Sequence, residues 1–259
     1  MSKKAMFQTD PPRSPKDYLP TMYDLPSENP EEPGSPDEFH LLQPRLLEET
    51  FLPPDYLSED VFTGSDLNLY YDVRHTGWYK RPDWFGVVGI SRLYEQREFR
   101  LSYVNWQEGV NPIVVVELLS PGTEREDLGR TLRDVEQPPT KWDVYERILR
   151  IPYYIVFNLY PNELQVFRLE GGSYHALEAT PPRFWFEELR LGLGLWEGTY
   201  QDIERQWLRW FDALGNWIPT PLERQVDLVE QERQRTEEER QRSERLIAQL
   251  RSLGIEPDL

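Results

Sequence analysis

The chain has 259 residues, 29 lysines and arginines against 46 acids, and a formal net charge of −17, which argues against a sequence-blind DNA coat with its basic surface. It has no cysteine, which rules out disulfides, thiol chemistry and Cys-ligated zinc, and His40, His75 and His175 are too scattered for a histidine metal motif. The first ten residues lack an apolar h-region and no run approaches a bilayer span, so a soluble, cytoplasmic protein is expected. The acidity is uneven: residues 1–60 carry 13 acids against 5 bases, and residues 222–259 carry 10 against 7. Most of the charge therefore lies outside the middle of the chain, whose contact with nucleic acid is disfavoured less than the total suggests.

Residues 1–38 are rich in Pro, Ser, Asp and Glu without periodicity, and read as an extended or disordered acidic arm. From Glu38 to Phe51, leucines 41, 42, 46 and 47 recur at helical spacing, which predicts a short helix despite Pro44. Residues 61–105 look like strands, with Trp84 to Ile90 the most apolar and Phe99 to Val104 a further β-rich piece. Residues 123–133 are polar with sparse leucines, a loop or short helix. Thr140 is placed to cap a helix from Lys141 to Leu149, with Asp143 three residues on. Ile151 to Phe157 reads as a buried strand, and 163–169 and 173–177 as a hairpin turning at Gly171-Gly172. Thr199 to Leu214 reads as an aromatic-rich helix. From Leu222 a heptad phase continues with polar residues at its centre, which suits a long exposed helix or weak coiled coil that pairs with something, such as another copy.

The chemistry concentrates in residues 112–121, Pro-Ile-Val-Val-Val-Glu-Leu-Leu-Ser-Pro. A valine-rich run bracketed by prolines reads as a strand buried on both faces, yet Glu117 sits inside it. Burying a carboxylate without a cation or strong donors costs roughly several kcal/mol. With Asp83, which follows Pro82, it suggests a divalent-metal site to which the Leu118 carbonyl could add a ligand. A lysine near such a site can orient or deprotonate a water for attack on phosphorus. After Lys80 the only lysine is Lys141. Each residue also has a plainer reading: Asp83 as a turn cap, Lys141 as a solvated first-turn residue, Tyr145 as core.

Several motifs occur in order: Pro82-Asp83, Val-Val-Val-Glu117-Leu-Leu-Ser-Pro121, Asp127-Leu-Gly129, Lys141 with Tyr145 four residues on, and Ile-Pro-Tyr-Tyr-Ile-Val from Ile151. Over roughly residues 60–200 the chain resembles the putative restriction endonuclease family abundant in cyanobacteria, a branch of the PD-(D/E)XK nuclease superfamily. The resemblance implies an α/β fold, a restriction-endonuclease-like α/β/α sandwich with a mixed central sheet. It implies a metal-dependent phosphodiesterase site in which Asp83 and Glu117 hold Mg²⁺ or Mn²⁺. The superfamily's usual lysine position, two residues after the glutamate, is Leu119 here; in this branch a lysine of the following helix takes the role, which fits Lys141. Glu38, Glu48 and Glu49 compete for any upstream helix acid.

The expectation is thus an acidic arm over 1–38, a restriction-endonuclease-like domain over 39–221 and a charged helix over 222–259. The expected activity is Mg²⁺-dependent hydrolysis of DNA phosphodiesters by Asp83, Glu117 and Lys141. The alternative is an inactive nuclease-fold protein that serves as a protein-interaction module, which the net charge of −17 favours.

Overall fold

The valine-rich run within 112–121, expected as a strand buried on both faces, and the run from Ile151 to Phe157, expected as a buried strand, form the centre of the main sheet. The computed structural model describes residues 37–119, 137–159 and 161–252. The expected arm up to residue 36, the segment 123–133, Ser120 and Asp127 lie outside the described residues. The chain divides into two units, Met1–Leu41 and Leu42–Leu259, and the sheets, core and candidate site belong to the second.

Helix α1 spans Glu38–Thr50, as the leucine spacing predicts, with Pro44 inside it. Strand β1 (Val61–Gly64) is followed by the short β2 (Leu69–Tyr70) and β3 (Tyr79–Lys80), then β4 (Trp84–Val88), β5 (Tyr103–Val104), helix α2 (Asn105–Glu108) and β6 (Val114–Leu119). Helix α3 (Lys141–Asp143) runs on as a π-helical turn over Val144–Ile148. Strands β7 (Tyr153–Asn158), β8 (Glu163–Glu170), β9 (Ser173–Leu177), β10 (Arg183–Phe186), β11 (Leu191–Tyr200) and β12 (Ile203–Phe211) follow, and helix α4 (Pro221–Ser252) ends the described chain.

The main sheet has six strands in the order β1-β4-β6-β7-β8-β9. Only β6 and β7 pair in parallel within it. This is the mixed sheet that the α/β expectation requires. All six residues of β6 are buried, which accounts for the continuous apolar pattern. Because paired residues share a face, Phe85, Val115 and Tyr154 point one way, and Trp84, Val116 and Ile155 the other. The first face packs on Val144, Tyr145 and Leu149 of the α3 segment, and on Leu69 and Tyr103 of a small sheet ordered β3-β2-β5. The second face meets the three-stranded sheet β10-β11-β12, where Trp210 lies 5.9 Å from Trp84 and Phe186 lies 4.5 Å from Tyr153, centroid to centroid. Buried Gln43 of α1 clasps the Leu208 peptide of β12, donating to its carbonyl and accepting from its N–H, both at 2.9 Å.

The β8–β9 hairpin turns at Gly171 and Gly172, both at positive φ, where glycine escapes the Cβ clash. The expected helix from Thr199 to Leu214 is a correction: these residues end β11 and form β12. Tyr200 pairs with Ile203, which leaves Gln201-Asp202 as a two-residue turn with both φ positive. Turns of that kind favour Asn-Gly or Asp-Gly, so the sequence signal is weak. Residues 207–211 are all buried, which removes the alternation that would betray a strand. In the same sheet, Gly192 sits against the Phe211 ring, where an added Cβ would lie 1.9 Å from ring carbon. The expected β-rich piece 99–104 forms a strand only at its end, with Phe99 and Leu101 exposed. Of the charged helix expected over 222–259, the part to Ser252 is present as α4, whose side chains are exposed over most of its length, and residues 253–259 lie outside the described residues.

Candidate active site

The site begins where β4 does. Pro82 cannot donate to a ladder, and the β4–β6 register runs Gly86↔Val114, Phe85↔Val115, Trp84↔Val116. One step further along that register puts Asp83 opposite Glu117, just beyond the end of β4. There a side chain replaces the ladder: the Leu118 N–H donates to Asp83 Oδ2 at 2.6 Å. The Asp83 N–H reaches Glu117 Oε2 at 3.4 Å. Two carboxylates 34 residues apart in sequence thus lie side by side.

Glu117 is 0% exposed and faces the α3 side of the sheet. Two further donors from that side meet it. Lys141 Nζ lies 2.9 Å from Glu117 Oε2, and the Tyr145 hydroxyl donates to Oε1 at 2.9 Å. A buried carboxylate needs such partners, and here an ammonium and a phenol hold one oxygen each. Asp83 is half-buried, and the Lys141 side chain is 20% exposed, so the cluster opens toward solvent on the side of those two residues.

Local sequence explains the placement of the donors. Buried Thr140 caps α3: its Oγ1 accepts the Asp143 N–H at 3.1 Å and donates to Asp143 Oδ2 at 2.8 Å. The cap fixes Lys141 in the first turn. Tyr145, four residues on, shares the helix face with Lys141. Glu146 points the other way and accepts the Tyr174 N–H of β9 at 2.8 Å, tying this segment to the sheet edge.

The structure therefore brings together Asp83, Glu117, the Leu118 peptide and Lys141, which are the residues singled out from sequence. Tyr145 combines both of its readings, since it is fully buried in the core and bonded to Glu117; its i, i+4 spacing from Lys141 was the available signal. Sequence reading passed over Lys80, which is 7% exposed and precedes Asp83 by three residues. Burial of a lysine leaves no mark on local sequence pattern. Glu48 and Glu49 of α1 bond elsewhere, Glu49 to Arg45 and to the Tyr200 hydroxyl, and Glu48 with Arg92 at 4.0 Å.

The donor set fits a hard cation. Two carboxylates and the main chain at Leu118 offer only oxygen, which suits Mg²⁺ or Mn²⁺. Among the described residues no group of three or more His, Asp or Glu side chains gathers at one point. The side-chain part of a cage would thus be Asp83 and Glu117 alone, in keeping with an ion that keeps several waters.

Among the described residues no helix is long and apolar enough to cross a membrane. The model of the Uma2 family, described as Putative restriction endonuclease, matches residues 16–208, about three quarters of the chain. No curated protein matches the chain. With its mixed sheet, and with Asp83 just ahead of β4 lying beside Glu117 of β6, the chain belongs to the Uma2 family, a family of nuclease type with a restriction-endonuclease-like α/β fold.

Proposed function

We propose that the protein is a metal-dependent endonuclease that hydrolyses DNA phosphodiester bonds at Asp83, Glu117 and Lys141. The observation that carries this reading is the wholly buried Glu117, which gathers Lys141 and Tyr145 and lies beside a second carboxylate. Asp83, Glu117 and the Leu118 carbonyl would hold a Mg²⁺ or Mn²⁺ ion, which when bound neutralises charge developing on the phosphate. Tyr145 and Lys141 orient the Glu117 carboxylate. The remaining N–H donors of the Lys141 ammonium then aim a water at phosphorus. The water oxygen forms a new P–O bond, one ester P–O bond breaks, the water gives up a proton to solvent, and the leaving oxygen takes one from solvent to become a hydroxyl.

The test is cleavage of plasmid and single-stranded DNA in Mg²⁺ and Mn²⁺ by the wild type and Glu117→Gln. Metal-dependent nicking that disappears in the variant supports the assignment, and equal cleavage by both ends it. The net charge of −17 favours a second reading, a nuclease-fold protein that binds other proteins without cleaving. Buried Trp84 adjoins Asp83 and reports the difference. Saturable quenching by Mn²⁺ that depends on Glu117 belongs to the enzyme, and its absence to the interaction module. In either case α4, with Leu222, Val226 and Val229 exposed, is read as the segment through which two copies pair. Sedimentation of the full chain against one ending at residue 221 tests that pairing.

A further inference from the structure

The small sheet β3-β2-β5 has two unlike faces. Leu69, Lys80 and Tyr103 point inward, at 0%, 7% and 0% exposed. Tyr70 and Tyr79 pair across β2 and β3 on the outer face, their ring centroids 5.4 Å apart. Trp106, from α2 directly after β5, extends the group, 6.3 Å from Tyr70. Tyr79 is 43% and Trp106 39% exposed. Cross-strand aromatic pairing would account for the two tyrosines as sheet stabilisers. It does not account for a tryptophan on a neighbouring helix that leaves its ring in water, and contiguous exposed rings are a mark of recognition.

We propose that Tyr70, Tyr79 and Trp106 form a platform on which unpaired bases of a nucleic acid stack, next to the cleavage site. The proposal rests on the nuclease reading for its substrate class. Three observations favour this occupant over a protein. The group consists of rings rather than aliphatic side chains, and every base offers a π-face to a ring. It lies in the charge-balanced part of an acidic chain: residues 61–111 hold six acids and six bases, whereas the whole carries −17. It is also continuous with the site, since Tyr79 precedes Asp83 by only four residues, at most about 14 Å of extended chain. A stacked strand crosses that distance in roughly four nucleotides. Arg81 lies between them in sequence, its side chain 44% exposed and paired with Asp66 at 2.6 Å. Bases paired and stacked in a duplex present no face to such a platform, so the preference is for single strands or unpaired segments.

The experiment is fluorescence anisotropy in EDTA, without cleavage, of a labelled 20-mer oligo-dT, the matching dT/dA duplex and oligo-U. The wild-type chain is compared with Tyr79→Ala, Trp106→Ala and the conservative Tyr79→Phe and Trp106→Phe, all checked for folding by circular dichroism. Each alanine variant should bind oligo-dT roughly 5- to 100-fold more weakly, with phenylalanine restoring most of the affinity. The oligo-U arm tells whether RNA is taken as well as DNA. Wild-type affinity in the folded alanine variants, duplex binding as tight as single-strand binding, or no binding by the wild type would overturn the platform. Cleavage by the alanine variants at wild-type rate alongside unchanged binding would leave the nuclease reading intact. Ring-dependent binding without any cleavage would instead keep the platform and remove the nuclease.

Discussion

Glu117 and Arg209 are both charged and almost wholly withdrawn from water, at 0% and 3% exposed, but their partners differ in kind. Arg209 of β12 closes on its own neighbourhood. It donates to the Ile218 carbonyl from Nε at 3.1 Å and Nη2 at 2.9 Å, grips both oxygens of Glu223, and lies over the Trp196 ring. Glu223 in turn completes a capping box with Thr220 at the start of α4, accepting the Thr220 N–H at 2.6 Å while its own N–H reaches Thr220 Oγ1 at 3.2 Å. The guanidinium fork is spent on backbone and cap, and its effect is to root a long exposed helix on the sheet. Glu117 instead collects side chains 24 and 28 residues away in sequence, beside a half-buried carboxylate that reaches solvent. A charge buried for architecture is matched locally. The Glu117 carboxylate keeps company with groups that reach solvent, which is what the proposed chemistry requires.

The largest effect that would sharpen this contrast is catalytic. Asp83→Asn and Glu117→Gln should each lower cleavage on the order of 10²–10⁴-fold while the circular dichroism spectrum is kept; a rate within a few-fold of wild type would place the chemistry elsewhere. Arg209→Met should act in the opposite sense. Loss of its hydrogen bonds to the Ile218 carbonyl and to the part-exposed Glu223 should cost about 2–3 kcal/mol in urea unfolding, with cleavage per folded molecule unchanged. If Arg209→Met instead lowers cleavage without loss of stability, the contrast between the two clusters fails.

Tyr145→Phe tests the overlap of core and site. Loss of one hydrogen bond to a charged acceptor should lower stability by about 1.5–3 kcal/mol, read by thermal melting, and cleavage should fall less than in the Glu117 variant. The smallest effect is at Glu223. Burial acts to raise its carboxyl, but the Arg209 hydrogen bond, the Thr220 N–H and the Arg209 charge outweigh it and hold the group below its ordinary 4.5. A lowered folded value contributes stability that is complete above pH 4.5 and is lost as the pH falls through the folded value. The advantage of the wild type over Glu223→Gln in melting temperature should accordingly be small at pH 7, because the side chain is 41% exposed, and should vanish in acid.

Much of the site was legible because burial and charge conflict visibly within a short strand. Glu117 in a valine run announces a need for partners, and lysine scarcity points to Lys141. The helix cap at Thr140 and the turn at Gly171-Gly172 were legible for the same local reason, since each depends on residues within a few positions. The β11–β12 hairpin was not. Its turn has weak chemistry and its second strand is buried through 207–211, so the helical and extended readings of those aromatics look alike until a partner strand is known. The burial of Lys80 and the clasp of Gln43 on Leu208 were hidden too, because both depend on what lies across the sheet.

Composition and local pattern by themselves determined helix α1, the buried strand with its carboxylate, the hairpin at Gly171-Gly172 and the charged terminal helix, because backbone sterics and hydrophobic period act over a few residues. Only the tertiary structure decided that Asp83 falls opposite Glu117 and that Tyr145 and Lys141 each hold one of its oxygens. It also decided that three aromatic rings share one outer face. Those relations depend on strand register and on packing between distant segments. A one-residue slip of β6 alone would turn Glu117 away from Lys141 and Tyr145 to the opposite face of the sheet.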